Sequence, residues 1–305
     1  MARLMRAFFY KLSKDITFRI TLIIGAGIAV FMTGLYLILQ NALGDELEGV
    51  KMLSGQTMLI SSFSPVQNFG LAIPINLISF IYLEFSQGTI RNKIIAGHSK
   101  AKIYTSLYLS GLVFAFALLL VYIGLCTGLG TIFGGFDPNG YAMAGTSIGG
   151  KISGEFLIKF SVLAIFSYVS IVSFTIFVVT TFRNMGPSIP VVILALFACY
   201  FLAMILSVAV STVEMTMASE MQIAMQEGRE IDLTEMEGAL KTFKDINNVL
   251  KVVDPLYGIS VVESNEAGVA TVDNLSFFGG IGSNLVFAGL FFGFGCLEFS
   301  KRDVK

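Results

Sequence analysis

The chain has 305 residues, of which 55% are hydrophobic and only 13% are charged, and its net charge at pH 7 is −1. Its mean hydropathy is +0.79. A soluble domain carries about 25% charged residues, so this composition excludes an ordinary soluble protein and indicates an integral membrane protein. The basic residues are not gathered on one soluble surface, so no nucleic-acid partner is expected. The three cysteines lie within apolar runs, which predicts neither a disulfide framework nor a metal site.

Residues 1–19 combine a helical apolar repeat with five basic residues. The apolar members recur every four residues, at Leu4, Phe8, Leu12 and Ile16. This pattern is typical of an amphipathic elbow helix that lies on the inner membrane surface. A basic lead-in that only fixes the topology explains the same residues equally well, and both interpretations stay open.

Six uncharged runs are predicted to cross the membrane, since about 20 helical residues span roughly 30 Å of hydrocarbon. They are residues 20–39, 58–83, 104–133, 160–182, 188–210 and 275–297. The second run is less regular than the others, because it contains two prolines and three polar amides. A helix that faces protein or a water-filled path can hold such groups, so we count this run as a span.

The distribution of Lys and Arg orients the spans. Thirteen of the twenty basic residues lie in residues 1–19, 84–103, 183–187 and 298–305, which the six spans place on one side. Four of the other seven lie in the long segment 211–274, which has little weight because long loops translocate largely regardless of charge. The distribution therefore predicts that both ends of the chain are cytoplasmic.

The segment 211–274, between the fifth and sixth spans, is predicted to be external and helical. Asp232 and Glu235 have the spacing of a capping box. Apolar residues then follow in steps of three and four, as in an amphipathic helix, until Asp254 and Pro255 end the pattern. A more polar helix with methionines four residues apart, from Met217 to Met225, is predicted to precede it.

Residues 145–152 contain two short motifs that are typical of enzymes. They match a phosphate-binding loop except that Ile152 replaces the Ser or Thr that holds magnesium, and Ser147 matches the G-x-S-x-G nucleophile motif. We reject both, because the segment follows no predicted strand and lies across the membrane from the single histidine, His98. No catalytic residue, metal ligand or cofactor-binding residue is therefore expected in this chain.

Two pairs of glycines have the spacing at which helices approach closely. They are Gly124 with Gly128 in the third span and Gly289 with Gly293 in the sixth. The pairs suit either a dimer face or helix packing within one subunit.

Residues 84–106 form a short polar segment between the second and third spans, with four basic residues. Its apolar residues recur as on one face of a short helix, at Ile90, Ile94 and Ile95. Gly88 and Gly97 are expected to bound that helix, because glycine suits turns and helix ends.

Glu84 lies at the end of the second span, where a charge near the membrane is costly. It either pairs with a basic residue of the following segment, Arg91 or Lys93, or lies at a solvated helix end.

These features together resemble the type-2 permeases of ATP-binding-cassette exporters. The resemblance covers nearly the whole chain and includes the basic elbow, six spans with both ends inside and a larger external segment before the sixth span. It is most specific in residues 84–99, where the motif residues are Glu84, Gly88, Thr89, Ile90, Arg91, Asn92, Gly97 and Ser99.

The resemblance implies a single permease domain over residues 1–305, which pairs with a second permease chain, identical or homologous, to form a translocation path. Segment 84–103 would be a cytoplasmic coupling loop, whose short helix between about Ser86 and Gly97 docks into a separate ATPase subunit, present in two copies and holding the ATP and magnesium. The expected contact residues are Glu84, Gly88, Ile90, Arg91, Asn92, Lys93, Ile94 and Gly97, with Ile90, Ile94 and Ile95 filling a groove. The chain itself would be no enzyme.

The same resemblance implies a multi-pass protein of the bacterial plasma membrane that exports an amphipathic peptide, a drug or a lipid-like molecule. The alternative is a membrane protein that works without ATP, either a transporter or a sensor with an external ligand-binding segment. Secondary transporters commonly show repeated halves and ionisable groups within the membrane. The predicted spans show neither feature clearly, which favours the permease.

Overall fold

The computed structural model describes residues 6–7, 10, 14, 16–43, 53–63, 72–136, 141–144, 147–227, 234–260, 262–265 and 267–302. This part of the chain is almost entirely helical, which confirms the predicted all-α class. The elbow helix predicted for residues 1–19 lies mainly outside the described residues.

Ten helices follow one another along the described chain. The first five are α1 (Ile16–Leu43), α2 (Gly55–Ser62), α3 (Ala72–Ser86), α4 (Thr89–Ile95) and α5 (Lys100–Gly134). The other five are α6 (Gly154–Phe182), α7 (Met185–Glu227), α8 (Thr234–Val253), α9 (Tyr257–Ser260) and α10 (Gly280–Lys301). A π-helical turn, Leu275–Gly279, leads into α10.

Two small antiparallel sheets lie between the helices. Strands β1 (Tyr141–Ala144) and β2 (Ser147–Lys151) pair with each other, and so do β3 (Glu263–Ser264) and β4 (Ala270–Thr271). The Lys151 N–H donates a hydrogen bond to the Gly268 carbonyl at 2.9 Å, which joins the two sheets. Of the rejected enzyme motifs, residues 147–151 form β2, and β1 ends at Ala144 just before them, so the expectation that this segment follows no strand is wrong. Gly149 and Gly150 lie within the strand and α6 begins only at Gly154, so these glycines do not form the strand-to-helix turn that either motif needs.

Five helices, α1, α5, α6, α7 and α10, are long and apolar enough to cross a membrane. With the π-helical turn that leads into α10, they contain five of the six predicted spans, so the chain is a multi-pass membrane protein by length and composition. Helix α7 continues to Glu227, well past the predicted end of its span at residue 210. Its last part is the polar helix predicted around Met217 and Met225.

The predicted second span, residues 58–83, is not one continuous helix. Helix α2 ends at Ser62, and α3 begins only at Ala72, with residues 64–71 outside the described part. The described part of α3 has 15 residues, which gives a length of about 22 Å at 1.5 Å per residue. Its polar Asn76 is satisfied inside the protein, because its amide donates to the Ala72 carbonyl at 2.8 Å and its carbonyl oxygen accepts from Thr21.

Helix α6 lies at the centre of the bundle. It packs along α10 over much of its length and also contacts α3 and α7. Its aromatic residues Phe160 and Tyr168 are fully buried, and the Tyr168 hydroxyl donates to the Phe63 carbonyl at 3.2 Å. This bond fixes the end of α2 against the centre of α6.

The close helix contacts do not occur at the predicted glycine pairs. A methyl group added at Gly124, Gly128, Gly289 or Gly293 would meet no atom within 4 Å. Close approaches occur instead at Gly134, against the backbone of Leu53, and at Gly295, against the ring of Tyr104. Packing within the subunit therefore does not explain the predicted pairs.

Helix α8 confirms the amphipathic helix predicted after the fifth span, and it ends where Asp254 and Pro255 were expected to end it. It runs back along the last part of α7, where Lys244 forms an ion pair with Glu214 at 2.8 Å. The proposed cap residue Asp232 lies outside the described residues.

Candidate functional site

The candidate site is the segment between α3 and α5, which contains the short helix α4. Gly88 precedes α4 with a φ of 66°, and Gly97 follows it with a φ of 85°. These left-handed conformations favour glycine, so the predicted bounds of the helix are confirmed. Ser99 then caps α5, because its hydroxyl accepts a hydrogen bond from the Lys102 N–H at 3.4 Å.

Glu84, in the last turn of α3, is buried and paired. Only 1% of the residue is exposed, and its Oε2 lies 2.7 Å from the Lys93 Nζ. The Thr89 hydroxyl lies 2.7 Å from the same oxygen and 2.8 Å from the Glu84 carbonyl oxygen. A buried carboxylate requires such partners. The prediction of a pair with Lys93 is therefore confirmed, and the solvated helix end is wrong.

The three isoleucines of α4 do not share one exposed face. Ile90 is 1% exposed and belongs to the main core, and Ile94 is half-buried and packs against that core. Ile95 is 74% exposed. Positions four apart lie on one face of a helix, whereas the next residue turns away. Ile90 and Ile94 therefore fasten α4 to the bundle, and the burial of Ile90 contradicts its predicted place in a partner's groove.

The outward face of α4 is formed by Arg91, Asn92 and Ile95, which are all exposed. Of the other predicted contact residues, Gly97 is exposed, Gly88 and Lys93 are half-buried, and Glu84 is buried. The residues predicted from the motif thus divide into an inward set that holds the helix and an outward set that is free to meet a partner.

Arg183 also belongs to this site, although in the sequence it is only a single basic residue in a short linker. It ends α6 with a left-handed φ of 52°, and its guanidinium lies 5.9 Å from the ring centre of Phe85 in α3. A groove of about 290 Å³ lies between this pair and Arg91. Burial and then the charge of Arg302 lower the pKa of Arg183, while Glu298 opposes them.

The end of α10 is tied to the same end of the bundle. The Arg302 guanidinium lies 2.6 Å from Glu298 and donates to the Thr181 carbonyl at 2.7 Å, and the Thr181 hydroxyl donates to Glu298 at 2.8 Å. Lys100, at the start of α5, donates to the Arg302 carbonyl at 2.8 Å. Three segments predicted to share one side of the membrane therefore meet at one end of the bundle, which we call the α4 end.

The described part of the chain contains no group of three or more His, Cys, Asp or Glu residues that could hold a metal ion. The arrangement at the α4 end offers positive charge and a braced helix rather than a reactive centre. No protein-family model matches the chain, and no curated protein or solved structure is detectably similar to it.

Proposed function

We propose that the chain is the permease subunit of an ATP-driven exporter of the ATP-binding-cassette type, and that α4 docks on a separate ATPase subunit. The observation that supports this most is the bracing of α4, which is held by Ile90 and by the pair of Lys93 with Glu84, while Arg91, Asn92 and Ile95 face outward. In this proposal the α4 end is cytoplasmic, in a bacterial plasma membrane. Two permease chains and two ATPase subunits form the transporter.

The bracing suits the transmission of movement. Lys93 lies in the last turn of α4 and Glu84 in the last turn of α3, so their ion pair joins two helices across the Gly88 turn. Only two residues with no regular structure, His98 and Ser99, separate the turn after α4 from α5. A partner that moves α4 would therefore move α3 and α5 with it.

The charge at the α4 end indicates the chemistry of the partner. The two acidic residues in the described part of this end, Glu84 and Glu298, are paired with Lys93 and Arg302. Arg91 is exposed, and α4 contains no acidic residue that could pair with it. The ATPase surface should thus offer carboxylates opposite the cations and an apolar recess for Ile95.

The docking proposal is tested by reversing the outward face. In the variant Arg91→Glu with Ile95→Asp, we expect at least a tenfold loss of the ATPase that copurifies in mild detergent, because both the charge and the apolar contact are inverted. The measurement is the amount of nucleotide-binding ATPase, identified by mass spectrometry, per permease chain. Thermal unfolding of the permease should stay unchanged, since both residues are exposed.

The matched control is Lys241→Glu, which reverses an exposed charge on α8, away from the α4 end. It should retain most of the ATPase. Equal retention by the α4 variant and the control would refute docking through α4.

A second function is favoured by one observation, a polar cavity of about 440 Å³ between α7, α8 and β3. Its lining includes Ser211, Glu214, Lys244 and Asn248. Such a cavity suits a membrane protein that works without ATP and senses a polar ligand through its external segment. Copurification separates the two functions, because a sensor of this kind brings down no ATPase.

A further inference from the structure

A second cavity lies inside the bundle, far from α4. It has a volume of about 360 Å³, lies between α6, α7, α10 and the segment that follows α8, and is open to the surface beside the exposed Leu202 and Val253. This volume lies within the range of about 300–1,000 Å³ that small-molecule sites occupy. Its walls are almost wholly apolar, with Phe174, Leu196 and Phe291 among them.

The proposed topology places the cavity at membrane depth. Ile171, Cys199 and Phe291 line it and belong to three of the long apolar helices. At 1.5 Å per residue, they lie about 15–21 Å along their helices from the α4 end. A hydrocarbon core is about 30 Å thick, so the cavity lies near its middle or in its far half.

One acidic residue, Asp254, lies in the wall of this cavity. It is 5% exposed, and its Oδ1 accepts a hydrogen bond from the Leu256 N–H at 2.8 Å. Its Oδ2 is buried and accepts no hydrogen bond from a nitrogen or oxygen donor of the residues that the structure describes; the Cys199 thiol beside the carboxylate is only a weak donor. Burial raises the pKa of Asp254, while the Leu256 N–H and the weakly donating Cys199 thiol lower it.

The nearest cation along the chain does not neutralise Asp254. Lys251 is bound instead to Glu263 at 3.1 Å and to Asp273 at 3.4 Å. Among the described residues that line the cavity, Asp254 is the one charged group. The apolar walls leave its charge poorly screened, so a cation inside the cavity is attracted strongly even before it touches the carboxylate.

We propose that this cavity binds a lipophilic amine, a molecule with an apolar body and one protonated nitrogen that pairs with Asp254. The apolar body replaces water against the aromatic and aliphatic walls. The ammonium N–H groups supply the donor that Oδ2 lacks, in a charge-assisted hydrogen bond.

Other occupants fit less well. A neutral acyl chain or alcohol packs against the apolar walls but gives Oδ2 no charged partner. The free-energy cost of burying this polar oxygen therefore remains. A calcium or magnesium ion takes six or more oxygen ligands, and the described wall provides one carboxylate. Binding of an amine does not rest on the docking proposed for α4. Should the chain be a permease, the site would narrow its cargo to amphiphilic amines.

The test uses the absence of tryptophan from the sequence. Phe291→Trp places a single fluorescent reporter in the cavity wall, and 10-bromodecylamine, whose bromine quenches tryptophan on contact, is titrated into the purified protein in detergent at pH 7. The uncharged probe is 10-bromodecanol, which has the same chain. We expect the amine to reach half-maximal quenching at a concentration at least tenfold below that of the alcohol.

Two further variants locate the origin of this preference. Asp254→Asn in the Phe291→Trp background should raise the half-maximal concentration of the amine to that of the alcohol and leave the alcohol unchanged. A reporter at Phe133→Trp, on the exposed far end of α5, should show no preference, because it senses only partitioning into the micelle.

Three results would overturn the proposal. They are equal half-maximal concentrations for the two probes at Phe291→Trp, a tenfold preference that survives Asp254→Asn, and the same preference at Phe133→Trp. The first comparison needs no change at Asp254, so it decides the matter even if that variant fails to fold.

Discussion

Replacing Lys93 with methionine is expected to lower the free energy of unfolding by about 3–5 kcal/mol, the usual cost of removing one partner from a buried ion pair. Methionine keeps most of the apolar stem but removes the ammonium that lies 2.7 Å from Glu84. The Glu84 carboxylate, 1% exposed, then keeps the Thr89 hydroxyl but loses the Lys93 ammonium. The measurement is unfolding of the purified protein by SDS in mixed micelles.

Two variants separate loss of the pair from loss of a surface charge. Arg91→Met, in the same helix but exposed, should change the free energy of unfolding by less than about 0.5 kcal/mol. Glu84→Leu combined with Lys93→Met should cost less than Lys93→Met alone, because no unpaired charge remains. If Lys93→Met proves as stable as Arg91→Met, the buried pair does not hold α4.

The loss should also have a functional consequence if the docking proposal holds. Lys93→Met leaves Arg91, Asn92 and Ile95 on the outward face, so the ATPase should still copurify. Helix α4, on which the ATPase docks, would be joined less firmly to α3. The expected phenotype is ATP hydrolysis that continues while transport falls, which differs from the loss of docking expected for the reversed outward face.

The long helices could be predicted from the sequence because an uncharged run of twenty or more residues has few other stable forms in a membrane. Their true lengths could not. Helix α7 continues to Glu227 because its polar last part packs against α8. The hydropathy of neither segment alone indicates this contact. The predicted span at 58–83 failed as one helix for a related reason, since apolar length does not reveal where a helix stops.

Within the site, the local features were predictable and the directions of side chains were not. Gly88, Gly97 and the pairing of Glu84 with Lys93 follow from spacing along a short segment. The periodicity of α4 shows that it has an apolar face, but only the packing shows that Ile90 turns into the chain's own core. The same helical repeat of apolar residues occurs whether that face packs against a partner or against the subunit's own core.

The contribution of residues from distant segments could not be predicted from the sequence. Arg183 lies almost a hundred positions from Phe85, whose ring it covers. In the sequence, Asp254 and the proline after it indicate only the end of a helix, on a segment expected to be external. Its burial depends on α6, α7 and α10 closing around the end of α8. Burial of this kind is a tertiary property with no local pattern.

Gly134→Ala is expected to lower the free energy of unfolding by about 1–3 kcal/mol, the usual cost of overpacking. The added methyl carbon would overlap the carbonyl oxygen of Leu53 and lie 2.6 Å from its carbonyl carbon. Backbone atoms cannot rotate away as a side chain can, so the start of α2 must move off α5. That movement also strains the hydrogen bond from the Gly55 N–H to the Gly135 carbonyl, now 2.9 Å.

The matched control is Gly128→Ala in the same helix, where the methyl group meets nothing within 4 Å. Alanine is the better helix former by up to about 1 kcal/mol, so this variant should be as stable as the parent or more stable. The two substitutions make the same chemical change less than two turns apart, and SDS unfolding should move in opposite directions. Equal shifts would show that α2 does not pack against Gly134. A loss of stability at Gly128 that appears only in the dimeric fraction would instead place the Gly124 and Gly128 pair in a face between two chains, because the subunit itself leaves that face uncovered.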